Sequence, residues 1–120
     1  MKNPFTSYAH GISAERVAAW WLQLKGYVVL ARRLKTPGGE IDLLAKRGGV
    51  VAVIEVKQRA TLADAASAIS QRQQQRLRNA ARFVLAQRPE LCNHSLRFDA
   101  LLVNRWGWPR HLLNVWNDAP

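Results

Sequence analysis

The sequence predicts an α/β sandwich, a mixed five-stranded sheet flanked by helices, and three observations carry that expectation. Residues 50–56 are almost wholly aliphatic and β-branched, the pattern of a central strand buried on both faces. The run before it, residues 40–45, leads into Lys46, Arg47, Gly48 and Gly49, a turn rich enough in glycine to close an antiparallel hairpin. Two segments outside that hairpin carry apolar residues at helical spacing. With 120 residues and 48% hydrophobic composition, the chain can build one domain, residues 1–120, with a core of its own.

The first helix is expected over residues 13–24, capped by Ser13 and stopped at Gly26, with Val17, Trp20, Trp21 and Leu24 as its buried stripe. Residues 27–33 form the first strand, and Thr36, Pro37, Gly38 and Gly39 turn the chain into the second. After the hairpin, residues 60–67 are small and polar, a loop or weak turn beside which substrate can enter. The second helix begins at Ser70, with Gln73 placed to complete a capping box, and buries Leu77, Ala80, Ala81 and Val84 before Pro89 ends it. Residues 96–103 are the fourth strand, with Leu96, Phe98, Ala100 and Leu102 on one face and Asp99 opposite, where a local ion pair with Arg97 is its commoner explanation. Trp106, Gly107, Trp108 and Pro109 make the last turn, and residues 111–116 the fifth strand.

Charged groups interrupt this aliphatic hairpin at Asp42, Glu55 and Lys57. Side chains alternate along a strand, so Glu55 and Lys57 share a face. An even-numbered hairpin loop puts Asp42 on that face too: six residues would set it opposite Glu55, four would set it opposite Val53, with Glu40 joining them. Like charges so close need a counterion. Carboxylate oxygens are hard ligands, and a pair of them completed by water and phosphate oxygens is a usual way to hold Mg²⁺ or Mn²⁺. Lys57 beside them would orient a water or neutralise charge developing on a phosphate. The arrangement suits metal-assisted phosphodiester hydrolysis.

The formal net charge of +10 creates a field that draws polyanions. Arg72, Arg76, Arg78, Arg82 and Arg88 follow one another with no acid among them, and Arg32, Arg33 and Lys35 form a second cluster. Arginine grips phosphate oxygens bidentately, so nucleic acid is the expected partner, with a non-catalytic nucleic-acid-binding protein as the alternative to an enzyme. No run reaches the length of a membrane span, the single Cys92 leaves no intramolecular disulfide, and the first five residues lack the apolar stretch of a secretion signal. A cytoplasmic location and no membrane partner are therefore expected.

An aspartate, a turn, and then Glu-x-Lys on the next strand resemble the PD-(D/E)xK nuclease superfamily. More closely, the chain resembles the small bacterial YraN-like family, whose fold is similar to that of Holliday junction resolvases. The matching residues are Gly11, Glu15 and Ala18, Gly26 and Tyr27, the run Gly39 to Leu44, Glu55, Val56, Lys57 and Arg59, Ala80 and Ala81, Arg97 to Asp99, and Asn117 and Ala119. The resemblance implies a restriction-endonuclease-like sheet and a DNA endonuclease in which Asp42 and Glu55 hold the metal and Lys57 assists the water. It gives Glu15 and Gln73 supporting places in the site, and Arg59 a place on the nucleic-acid surface. A homodimer is implied if two strands are to be cut. Two positions depart from the pattern: Ile41 precedes Asp42 where the nuclease signature has proline, and Gln73 stands where the YraN-like sequences carry lysine.

Overall fold

The computed structural model describes residues 13–58, 69–104 and 108–115. In chain order these form α1 (Ala14–Leu24), β1 (Val28–Thr36), β2 (Gly39–Arg47), β3 (Val50–Lys57), α2 (Gln71–Gln87), a 3₁₀ turn (Pro89–Leu91), β4 (Ser95–Leu102) and β5 (Arg110–Leu112). The five strands lie in sequence order in one sheet. β3 and β4 are parallel, and every other neighbouring pair is antiparallel. A parallel pair requires a crossover, and α2 supplies it.

The two helices of the described residues cover opposite faces. α2 sets Leu77, Ala80, Ala81 and Val84 against Ile41, Leu44, Val51, Val53, Phe98 and Ala100. α1 sets Ala14, Val17, Ala18, Ala19 and Leu22 against Leu43, Ala45, Ala52, Ile54, Leu101 and Val103. β3, with residues 51–55 all buried, is the doubly covered central strand that its aliphatic sequence predicts.

Both helices begin at the serines expected to cap them: Ser13 Oγ accepts from the Arg16 N–H at 3.2 Å, and Ser70 Oγ from the Gln73 N–H at 3.1 Å. The buried stripe of α2 is the predicted one, whereas α1 is rolled. Its small residues face the sheet, leaving Trp20 38% and Leu24 71% exposed. Alanines let the helix approach the sheet more closely than a tryptophan stripe would, and that close packing overrides a reading by residue size alone.

The hairpin loop is also tighter than four or six residues, since pairing continues to Arg47 and Val50 and leaves only Gly48 and Gly49 in the turn. Gly48 takes φ +58°, a conformation that suits glycine. At the β1–β2 turn a Cβ on Gly38 would lie 2.8 Å from Asn79 Cβ, so only glycine lets this turn pack against α2. The first strand runs three residues past its expected end, to Thr36, whose hydroxyl closes the turn by accepting from the Gly38 and Gly39 N–H groups. β5 is shorter than expected, and Trp106, Gly107 and Trp116 lie outside the described residues, as does all of the predicted loop at 60–67.

Candidate functional site

Register brings Asp42 and Glu55 together. The β2–β3 ladder pairs Leu43 with Ile54 and Leu44 with Val53, the frame that would set Asp42 opposite Glu55, but paired residues end at Leu43. There the Asp42 side chain takes over, its Oδ2 accepting from the Val56 N–H at 2.9 Å. The pleat is broken at the same place. Ile41 packs on the α2 face and Leu43 on the α1 face, although residues two apart in a regular strand share a face. Across β1, Arg33 sits between the pairs Arg32–Leu43 and Leu34–Ile41 with φ +49°, a left-handed conformation that costs a non-glycine residue about 1–3 kcal/mol.

Glu55 is buried, 6% exposed, on the α2 side of β3. Lys57 Nζ lies 3.2 Å from its Oε1, as the shared face predicts. Glu55 Oε2 is buried with no hydrogen-bond partner. Burial raises the Glu55 carboxyl above its ordinary range, and the charge of Asp42 raises it further. Lys57 and the Gln73 side chain, which reaches this carboxylate from the first turn of α2, pull the other way without cancelling the rise. Asp42 is raised as well, first by burial, against the Val56 N–H and Lys57, with Glu15 and Glu40 adding repulsion. The site thus holds more negative charge than its own cation neutralises.

Glu15, on α1, lies close enough to act on Asp42 and is ion-paired to Arg33. The Gln73 N–H is capped by Ser70, while its side chain bonds the Glu55 carboxylate. Among the described residues no group of three or more His, Cys, Asp or Glu is arranged to hold a metal. The donor set is two carboxylates, one with an unsatisfied buried oxygen. That fits a hard divalent ion that keeps most of its shell as water or phosphate oxygen, as Mg²⁺ does.

Of the expected nucleic-acid contacts, Arg72, Arg76 and Arg82 are exposed on α2 and Arg78 is half-buried. Arg32 and Lys35 are exposed on β1, Lys35 lying opposite Glu40. Arg33 is committed to Glu15, and Arg59 falls outside the described residues.

A second charged cluster was only partly legible. Arg97 does pair with Asp99, its Nε and Nη2 each 2.8 Å from a carboxylate oxygen. Asp99 also accepts from the Asn114 N–H at 2.9 Å and lies 2.8 Å from His111 Nε2. Lys25 Nζ is 2.7 Å from His111 Nδ1, so with the ammonium donating there, His111 donates from Nε2 to Asp99. Arg97 reaches on to donate to the Tyr27 hydroxyl at 2.5 Å. Burial pushes Asp99 up, but the bonds from His111, Arg97 and the Asn114 N–H outweigh it and hold the carboxyl below its ordinary range. These partners lie 12 to 86 residues apart in pairs such as Asp99–His111 and Lys25–His111, and sequence spacing carries no signal for them.

Comparison with known proteins places these features in a family. A family model described as the uncharacterised protein family UPF0102 matches residues 14–103. A UPF0102 protein of Parvibaculum lavamentivorans is 49% identical over 117 residues, covering 95% of this chain and 88% of the relative. One from Rhodopseudomonas palustris strain BisA53 is 53% identical over 113 residues, covering 94% and 87%. One from Bradyrhizobium diazoefficiens is 50% identical over 113 residues, covering 94% and 85%.

Proposed function

The chain belongs to the UPF0102 family, the YraN-like family expected from its sequence, and we propose that it is a metal-dependent endonuclease acting on DNA. The observation that carries this reading is the uncompensated carboxylate pair. Asp42 and Glu55 are both buried enough to titrate above their ordinary ranges, they repel one another, and Glu55 keeps an oxygen without a partner. A purely structural pair would have gathered donors, because leaving charge uncancelled in a folded core is destabilising.

Asp42 and Glu55 would hold Mg²⁺ or Mn²⁺, which when bound polarises a phosphate and supplies an acidified water. The chain's own groups do the positioning. The Val56 N–H fixes the Asp42 carboxylate, while Lys57 orients Glu55 from the same face and offers a cation to charge growing on phosphate oxygens. Gln73 steadies Glu55 from α2. Glu15, tied to Arg33, acts on Asp42 only through its charge. The exposed arginines of α2 and Arg32 and Lys35 of β1 would bind the phosphate backbone without reading sequence.

The test is purified protein on duplex, single-stranded, flapped and four-way-junction DNA with Mg²⁺, Mn²⁺ or EDTA. Asp42→Ala and Glu55→Ala should each abolish metal-dependent cleavage and leave DNA affinity largely intact. Cleavage that survives both changes overturns the catalytic reading. The second reading, a nucleic-acid-binding protein of the same fold that does not cut, is favoured by the count of ligands, two carboxylates rather than three. It expects salt-sensitive binding that ignores both the metal and these substitutions.

A further inference from the structure

The rolling of α1 leaves a residue that the core does not use. Trp20 is 38% exposed although it lies in the middle of an amphipathic helix. Its neighbours at helical spacing, Arg16 and Gln23, stand with it along one wall of an open groove of about 440 Å³. The opposite wall is the edge strand β1, from Val29 to Arg32. That strand bulges between Val29 and Ala31, and bulges bend a strand and re-aim its side chains.

From this groove we infer a binding site for one unpaired nucleotide, with its base on the Trp20 ring and its phosphates between Arg16 and Arg32. The chemistry of the lining selects that class. It joins one large aromatic face to two arginines and holds no acid. Arg16 already places its guanidinium 5.6 Å from the Trp20 centroid, which shows that the ring accepts a flat, cationic or π-rich partner. Because Arg16 is exposed, it can swing to a phosphate when a base takes its place. Arg32 makes no ion pair among the described residues, in contrast to Arg33 next to it. The volume falls within the range of small-ligand clefts.

Position gives the groove its meaning. Arg16 follows Glu15, whose charge reaches Asp42, and Arg32 pairs across the sheet with Leu43, the residue after Asp42. Glu15 lies on the same helix as Trp20 and close enough to act on Asp42, so a strand that passes Asp42 at Glu15 and follows α1 would reach Trp20. This site rests on the nucleic-acid part of the proposed function and not on cleavage. It deepens that reading by naming the substrate class: DNA with an unpaired stretch beside the bond at the site.

The experiment is fluorescence polarisation in EDTA with a labelled oligothymidylate, an abasic strand of equal length and a duplex. Trp20→Ala should weaken oligothymidylate binding about ten- to a hundred-fold, the range of one lost base–aromatic stack. Trp20→Phe should recover most of it. Duplex affinity should change by less than about twofold, since backbone contacts carry it. The abasic strand should bind the parent protein and Trp20→Ala alike. Equal losses on single strand and duplex, or no loss on either, overturn the site while the parent protein's salt-sensitive binding upholds the nucleic-acid reading. Absence of any binding by the parent protein overturns both. Circular dichroism of each variant, exposed as Trp20 is, verifies that the comparison is between folded proteins.

Discussion

Two acidic centres lie one register step apart on neighbouring strands, and the sheet treats them oppositely. Asp99 pairs in register with Ile54, and Glu55 with Ala100. Asp99 is fully buried and surrounded by donors from Arg97, His111 and Asn114, and its carboxyl is held below the ordinary range. Glu55 is buried and Asp42 half-buried, with too few donors between them, and both are raised. Burial alone therefore does not mark a functional acid in this protein. What separates the two centres is whether the fold supplies enough donors to hold the charge.

The contrast breaks most sharply at Asp99. Asp99→Ala strands Arg97 and opens the bonds to His111 and Asn114, so urea unfolding should show a loss of about 3–5 kcal/mol, the usual cost of removing one member of a buried ion pair. Glu55→Gln removes a charge the fold does not balance and should be neutral or stabilising at neutral pH. A loss comparable to that of Asp99→Ala would mean that Glu55 is structural after all.

Acid titration sharpens the same contrast because the two signs are opposite. Asp99, with its folded pKa depressed, contributes stability that is fully present above the ordinary carboxylate range near 3.8 and is lost as the pH falls through its folded value. Asp42 and Glu55, with folded values raised above 3.8 and 4.5, hold their protons more tightly when folded. Their contribution is favourable at low pH and declines as the pH rises from those ordinary values through the raised ones. Thermal melts across that window should show the Asp42→Asn, Glu55→Gln double variant losing the alkaline-side decline while keeping the acid-side loss. If the double variant keeps both limbs, the charge surplus does not reside in this pair.

The smallest effect is expected at Gln73. Gln73→Lys adds a cation beside Glu55 and should raise the melting temperature slightly above neutral pH, on the scale of less than about 1 kcal/mol, because α2's first turn is partly open to solvent. It should also reduce the stabilisation that added Mn²⁺ confers, as a resident cation competes with an arriving one.

Much of this was legible in the sequence because it rests on local rules. The caps at Ser13 and Ser70, the stripe of α2 and the doubly buried β3 follow from side-chain chemistry and period. The shared face of Glu55 and Lys57 follows from strand alternation. The meeting of Asp42 with Glu55 was reached by parity, yet the molecule achieves it through a broken pleat and a carboxylate that replaces a ladder bond, and parity assumes neither. The roll of α1 was missed because alanine carries little weight in a pattern of large apolar residues, although it packs closest to the sheet. The His111 and Lys25 side of the Asp99 cluster depends on contacts made only by the finished fold.

The edge position of β1 bears on how the molecule behaves in a crowded solution. Among the described residues no strand pairs with its outer side, and an open nine-residue edge is a template for stacking one copy onto the next. The bulge at Leu30, the left-handed turn at Arg33 and the exposed charges of Arg32 and Lys35 make that edge crooked and positively charged. Self-pairing into fibres is thereby disfavoured.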